Sequence, residues 1–240
     1  MPQSKKEANR KEAHKKPAKP QAKPKPKAKA TKHKRAPFFL GVAGGTGSGK
    51  TTFTRKVLDA LGGRVAVIQH DWYYRDRSGM GAEERARINY DHPNALETGL
   101  LIRHLKSLKR WRKVTTPLYN FVTHTRMTGG EKIDPTPVII VEGILIFADE
   151  KLRDLFDLRI FVQTESDLRL LRRLKRDMSD RGRSFDNSVS QYLETVRPMH
   201  QMFVEPSKQF ADIIVPASQP NDKAIKMIVD MIQRRFDKHS

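Results

Sequence analysis

Between Gly44 and Thr51 the chain reads G-x-x-x-x-G-K-[ST]. Glycines at this density let successive backbone N–H groups converge on one anion with no Cβ in the way. Lys50 supplies a cation for β- and γ-phosphates, and the Thr51 hydroxyl a ligand for Mg²⁺. Gly44, Gly45, Thr46, Gly47, Ser48, Gly49, Lys50, Thr51 and Thr52 are therefore candidate binders of a nucleoside triphosphate. Three further groups have side chains suited to chemistry. Asp71 follows the β-branched run Arg64–Ile68, and Glu142 lies within the apolar run Pro137–Leu145. A carboxylate at either place could hold or orient Mg²⁺; Asp71 could also accept a proton from an attacking hydroxyl, or cap a turn. Tyr119, Phe121 and His124 share one extended stretch. Such rings either stack on a flat polar base, with the His bonding its edge, or pack on one another as in any sheet. Lastly, Arg169, Arg172, Arg173 and Arg176 recur at i, i+3, i+4, i+7, with Arg181 and Arg183 just beyond.

The elements that must carry these residues are legible from periodicity. Phe38–Ala43 reads as a strand leading into the glycine loop, and Thr52–Leu61 as the helix leading out. Arg64–Ile68 is a second strand. In an open parallel sheet ligands sit beyond the carboxyl ends of the strands, which brings Asp71 near the loop by topology alone. Ser78–Arg87 is polar and reads as a connection with a short helix. Pro93 opens a helix whose Leu96, Leu100, Leu101, Leu105 and Leu108 make a core face, with His104 a structural member of it. Val114–Val122, followed by Thr123–Arg126 and Gly129-Gly130, fits a hairpin. Leu158–Val162 is another strand. Ser166 is expected to cap a helix running to about Met178. There the four arginines span an arc of about 100°, and Leu171, Leu174 and Met178 are expected to pack inward on the other face. The arginine stripe is then either a phosphate clamp or a solvated charged face. A helix over Val189–Val196 is expected to stop near Pro198. Ala211–Pro216 reads as a short strand, and Asn221–Phe236 as a helix with Ile225, Ile228, Val229 and Ile232 inward. This alternation predicts an α/β fold with a parallel sheet flanked by helices.

Composition bounds the rest. The 240 residues suffice for one α/β domain, and there is no cysteine, which excludes disulfides, thiolate metal sites and cysteine nucleophiles. No apolar run approaches a membrane span, and no secretory h-region opens the chain. The net charge of +20 is unevenly placed. Residues 1–37 are Lys, Ala and Pro with almost no apolar side chains, and are expected to be a disordered basic tail on a domain spanning 38–240. Solubilisation, a targeting signal, and weak salt-sensitive contact with polyanions or nucleic acid compete for its role.

Taken together, GGTGSGKTT, HDWYYRD, NYDHPNAL, PLYNFVTHTR, VIIVEGIL, RRLKRDMSDRGRS, QYLETVRPMH and EPSKQFADIIVP make the chain resemble the uridine kinases (uridine–cytidine kinases) over residues 38–236. The resemblance implies a P-loop kinase fold with a small β-hairpin subdomain for the nucleoside and a mobile helical lid. It implies transfer of phosphate from ATP (or GTP), with Mg²⁺, to the 5′-hydroxyl of uridine or cytidine, giving UMP and CMP in pyrimidine salvage. Asp71 matches the family's general base. Tyr74, Tyr90, Asp91, Tyr119, Phe121, His124, Arg183 and Gln191 match nucleoside contacts. Arg173, Arg176 and Arg181 match the lid over the phosphates, with Arg173 also touching substrate, and Thr51 and Glu142 match the Mg²⁺ site. A cytoplasmic homotetramer with feedback inhibition by pyrimidine triphosphates is implied as well. Trp72 and Gln163 depart from the commoner family pattern. The residues alone leave open another kinase of the broader P-loop group, or a nucleic-acid-associated P-loop protein.

Overall fold

The computed structural model describes residues 35–63, 65–218 and 221–237. In chain order the elements are β1 (Phe38–Ala43), α1 (Lys50–Leu61), β2 (Val65–Gln69), α2 (Ala82–Ala86), α3 (Thr98–Leu108), β3 (Val114–Asn120), β4 (Thr125–Ile133), β5 (Val138–Glu142), α4 (Glu150–Arg153), β6 (Leu158–Gln163), α5 (Ser166–Ser179), α6 (Phe185–Gln191), α7 (Arg197–Met199), α8 (Glu205–Ser207), β7 (Ile213–Pro216) and α9 (Asp222–Asp237). The expectation for the tail at residues 1–34 lies outside the described residues. Contacts with the α/β body already reach Arg35, whose guanidinium donates to the Arg235 carbonyl at 3.0 Å.

Five strands form one parallel sheet in the order β2-β5-β1-β6-β7. Val42 and Gln69 both stand level with Glu142 in the ladder. That register brings three chain segments to one edge: the glycine loop after β1, Asp71 just past β2, and Glu142 at the end of β5. Side-chain alternation sorts the central strands onto two cores. Phe38, Leu40, Val42, Val138 and Ile140 face one core, closed by Phe53 and Val57 of α1 and by Ile225, Ile228, Val229 and Ile232 of α9. Phe39, Ala43, Ile139 and Val141 face the other, closed by Leu101, Leu105 and Leu108 of α3. The inward face of α9 is the one the spacing predicts; α3 begins at Thr98 rather than at Pro93, so Leu96 joins that core from the extended stretch before the helix.

β3 and β4 pair antiparallel as the expected hairpin, with a register shift at Pro117, which has no N–H to give the ladder. Arg126 docks the hairpin: its Nε donates to the Tyr74 carbonyl at 2.8 Å, and its Nη2 pairs with Glu97 at 2.8 Å.

Two helical expectations are corrected. Ser166 is the first residue of α5 rather than its cap; Glu165 precedes it and makes no side-chain cap bond. α5 is also rotated: Arg169, Arg173 and Asp177 are buried, while Leu171 is 63% exposed and Met178 49%. The run after α5 does not stop at Pro198. It continues through π-helical turns over Tyr192–Val196 and His200–Val204 to Phe210. Each wide turn is followed two residues later by a proline, Pro198 or Pro206. A wider turn moves the carbonyl that a proline ring would otherwise strike, so the helix passes through.

Candidate active site

The glycine loop is shaped by close approach. Gly44 has φ +146°, and a Cβ there would lie 2.4 Å from the Val162 carbonyl oxygen. Gly47 has φ +73°, and a Cβ would lie 2.4 Å from the Arg169 carbonyl oxygen. Thr164 braces the loop by donating to the Ser48 carbonyl at 2.9 Å. Lys50 folds over it and donates to the Gly45 carbonyl at 3.0 Å. Burial lowers the Lys50 ammonium from its ordinary 10.5 to about 8; Asp71 and Glu142 oppose that shift, and Arg176 and Arg169 add to it.

Opposite Lys50, the Thr51 hydroxyl donates to Glu142 Oε1 at 3.0 Å. Glu142 Oε2 and Asp71 Oδ1 are buried and accept no hydrogen bond among the described residues. Unsatisfied buried carboxylate oxygens beside a threonine hydroxyl fit a hard cation. Among the described residues no group of three or more His, Asp or Glu forms a metal cage. Mg²⁺ usually keeps several waters and one or two carboxylates alongside substrate phosphates, so this sparse set suits it.

One cavity runs from these groups to an aromatic end. Its lining includes Thr46, Lys50, Thr51, Asp71 and Glu142, the group Tyr74, Tyr90, Asp91, Phe121 and His124, and Arg173, Arg176, Arg181, Arg183 and Gln191, whose arginines contact members of both groups. His124 sits in the hairpin turn at φ +55°, a conformation that is strained for a non-glycine residue. Its ring stacks on Tyr90 with centroids 4.3 Å apart. Arg183 Nη2 lies 3.0 Å from His124 Nε2. Burial first, and then Arg183, Arg181 and Arg85, lower the His124 pKa to about 4. Arginine has only donors, so Nε2 carries the lone pair and the neutral ring's proton sits on Nδ1. That Nδ1 is buried without a partner among the described residues. Burial raises Asp91, with Arg173 opposing and Asp71 reinforcing the shift.

The sequence-predicted residues do not all reach the cavity. Tyr119 is one layer behind its wall, 7% exposed, with its ring 5.1 Å from Tyr74 and 5.3 Å from Phe121. Thr52 is exposed and, with Gly49, borders a separate depression on the outer side of the loop, between Arg172 and Ala217. The arginine stripe divides. Arg173 Nη1 and Arg176 Nη2 reach Thr46 Oγ1 at 3.3 and 3.4 Å. Arg173 Nη2 and Arg183 Nη1 share Gln191 Oε1, and the Arg181 guanidinium lies over the Phe121 ring. Arg169 is buried behind the loop, bonded to the Thr164 carbonyl and 3.1 Å from His200, and Arg172 is exposed. Sequence reasoning missed Asp177, which is fully buried among the arginines. Its i+4 spacing from Arg173 was a usable signal.

Loop amides, a lysine, carboxylates with unpartnered oxygens and guanidiniums around one cavity suit the passage of a phosphoryl group from one bound molecule to another. With the parallel sheet beneath, they define the class: a P-loop phosphotransferase. Residues 39–224 match the sequence model of the Phosphoribulokinase / Uridine kinase family, and the chain belongs to that family. It is 47% identical over 203 residues to a uridine kinase of Clostridium tetani, with 84% of this chain and 97% of that protein covered. It is 49% identical over 193 residues to a uridine kinase of Streptococcus pyogenes, with 80% and 93% covered. Among solved structures, phosphoribulokinase from Rhodobacter spheroides shares the fold at TM-score 0.55 and 19% identity, covering 76% of this chain and 70% of that one. D-glycerate 3-kinase from Cryptococcus neoformans shares it at TM-score 0.56 and 16% identity, covering 77% and 88%.

Proposed function

We propose that the protein transfers the γ-phosphoryl group of ATP (or GTP) to the 5′-hydroxyl of uridine and cytidine, giving UMP and CMP. One observation carries the reading: a histidine-bearing aromatic pocket is continuous with the phosphate loop and with two carboxylates, Asp71 and Glu142, that each keep one buried oxygen without a partner among the described residues. The uridine kinases at 47–49% identity support it.

In this reading the loop amides and Lys50 hold the β- and γ-phosphates. Thr51 and Glu142 would hold Mg²⁺, which when bound neutralises charge on the polyphosphate. Asp71 accepts the proton of the 5′-hydroxyl as its oxygen bonds to the γ-phosphorus and the bond to the β-phosphate oxygen breaks, releasing ADP. Arg173, Arg176 and Arg181 meet the charge on the moving phosphoryl group, and their cover excludes water as a competing acceptor. Asp91 accepts from ribose hydroxyls. Tyr74, Tyr90 and Phe121 bound the base, with Tyr119 supporting them from behind, and Arg183 and Gln191 close over it. The His124 Nδ1–H donates to the base edge, where uracil offers O4 and cytosine offers N3. A single donor thus serves both pyrimidines. The domain over 38–240 carries this chemistry, and the basic tail makes at most a weak, salt-sensitive polyanion contact apart from it.

A coupled assay with uridine, cytidine, adenosine and pantothenate as acceptors tests the reading. Turnover on both pyrimidine ribosides and little on the others is expected. Preference for adenosine or pantothenate overturns it, as does ATP hydrolysis stimulated by nucleic acid with no transfer to any nucleoside.

A further inference from the structure

We propose that Asp177 is a positioning residue, which sets the arginine cover for phosphoryl transfer; the proposal rests on the kinase reading above. Its side chain is fully buried, with 0% exposure. Four guanidiniums surround it: Arg173 Nε at 3.2 Å, Arg176 Nη2 at 3.2 Å, Arg181 Nη1 at 3.5 Å and Arg183 Nη1 at 3.6 Å. Its backbone takes part too, because the Arg183 amide donates to the Asp177 carbonyl at 3.1 Å across the turn at Gly182, where φ is +63°.

The four spokes lead to different halves of the cavity. Arg173 and Arg176 reach Thr46 in the phosphate loop. Arg173 and Arg183 meet on Gln191, and Arg183 alone reaches His124. One carboxylate therefore ties the phosphate side to the aromatic side. Electrostatics gives it that office. Four cations held within reach of one another in a poorly solvated place repel strongly, and a buried charge stripped of its partner is costly. A single anion at the centre draws the forks to fixed positions, yet one negative charge cannot neutralise four positive ones. The surplus stays available to a polyphosphate. No step in the transfer touches Asp177 itself, so it acts only through the arginines.

Asp177→Asn keeps the shape and removes the charge. With uridine as acceptor, kcat is expected to fall about 100-fold, the usual cost of misplacing transition-state donors. KM for uridine should rise about tenfold through the loosened Arg183–His124 contact, while ATP affinity, set by the loop amides and Lys50, stays within about threefold. A kcat within about threefold of wild type overturns the proposal. Equal losses in kcat and ATP affinity, with KM for uridine unchanged, also overturn it, since they mark a merely structural role. If the single variant does not fold, Asp177→Asn is combined with Arg183→Gln, which removes one cation with the anion. A large further loss of kcat relative to Arg183→Gln alone supports the proposal, and equal kcat overturns it. Wild type assayed alongside separates the two readings. No transfer to uridine or cytidine by wild type overturns the proposed function and this inference with it. An active wild type with an unchanged variant overturns this inference alone.

Discussion

Lys50 and Asp71 line the same cavity, and each makes a separate expectation. With its ammonium lowered to about 8 by burial, free Lys50 loses its charge as pH rises through that value. Bound polyphosphate would hold the proton in place. The pH profile of kcat/KM for ATP should therefore fall above pH 8 while kcat stays level; a kcat/KM that stays flat well above that pH contradicts the role given to Lys50. Asp71→Asn removes the proposed proton acceptor and little bulk. Nucleotide titration should show ATP binding retained, and turnover should drop by about 10²–10⁴-fold. Near-normal turnover would leave Asp71 with no catalytic part. Three histidines set a further expectation, His70 buried and His124 and His200 half-buried. Burial is the leading cause that lowers His70, His124 and His200 each from 6.5 to about 4. Between those values the unfolded chain binds protons that the folded one refuses, so stability falls as pH drops from 6.5 toward 4. Denaturant melts across that window measure it, and stability that is level or rising on acidification contradicts desolvated neutral rings at these places.

α5 shows how an element can obey an electrostatic rule and break a hydrophobic one. Its apolar residues Leu171 and Met178 lie outward, while Arg169, Arg173 and Asp177 lie inward. Leu171→Glu should accordingly change stability by under about 0.5 kcal/mol and leave kinase kinetics unaltered, since 63% of the side chain is already in water. Loss of folding in that variant, read by circular dichroism and thermal melts, would mean that the helix packs the other way round. The hairpin β3–β4 depends on one residue of similar character. Arg126 holds it to the Tyr74 carbonyl and to Glu97, and so keeps His124 over the cavity.

Over the whole molecule, charge is divided between two stretches of the chain. Residues 1–37 hold fourteen of the 47 basic residues and two of the 27 acidic ones, whereas the arginines of the cavity belong to α5 and the turn after it. Removing residues 1–34, which spares the Arg35 contacts, should leave nucleoside phosphorylation within about twofold of the full chain and reduce salt-sensitive retention on heparin or RNA. Loss of transfer on truncation would show that the tail belongs to the catalytic unit. Among the described residues no helix is long and apolar enough to cross a membrane.

Much of this arrangement is written locally in the chain. Glycine spacing from Gly44 to Gly49, strand alternation through Phe38–Ala43 and Val138–Glu142, and the leucine repeat of α3 act over a few residues, so loop, strands and core faces are legible without a structure. The placement of Asp71 and Glu142 beside the loop follows from strand ends in a parallel sheet. Packing between distant segments sets which way α5 turns, places Tyr119 behind the cavity wall, takes Arg169 and Arg172 out of the cavity, and carries the helical run past Pro198. The reason is the same in each case. Burial of a charged or aromatic side chain depends on partners brought from elsewhere: Gln191, His124 and Thr46 for the arginines, Tyr74 and Phe121 for Tyr119. A hydrophobic pattern contains no term for a counterion, and Asp177 is the counterion that reverses it.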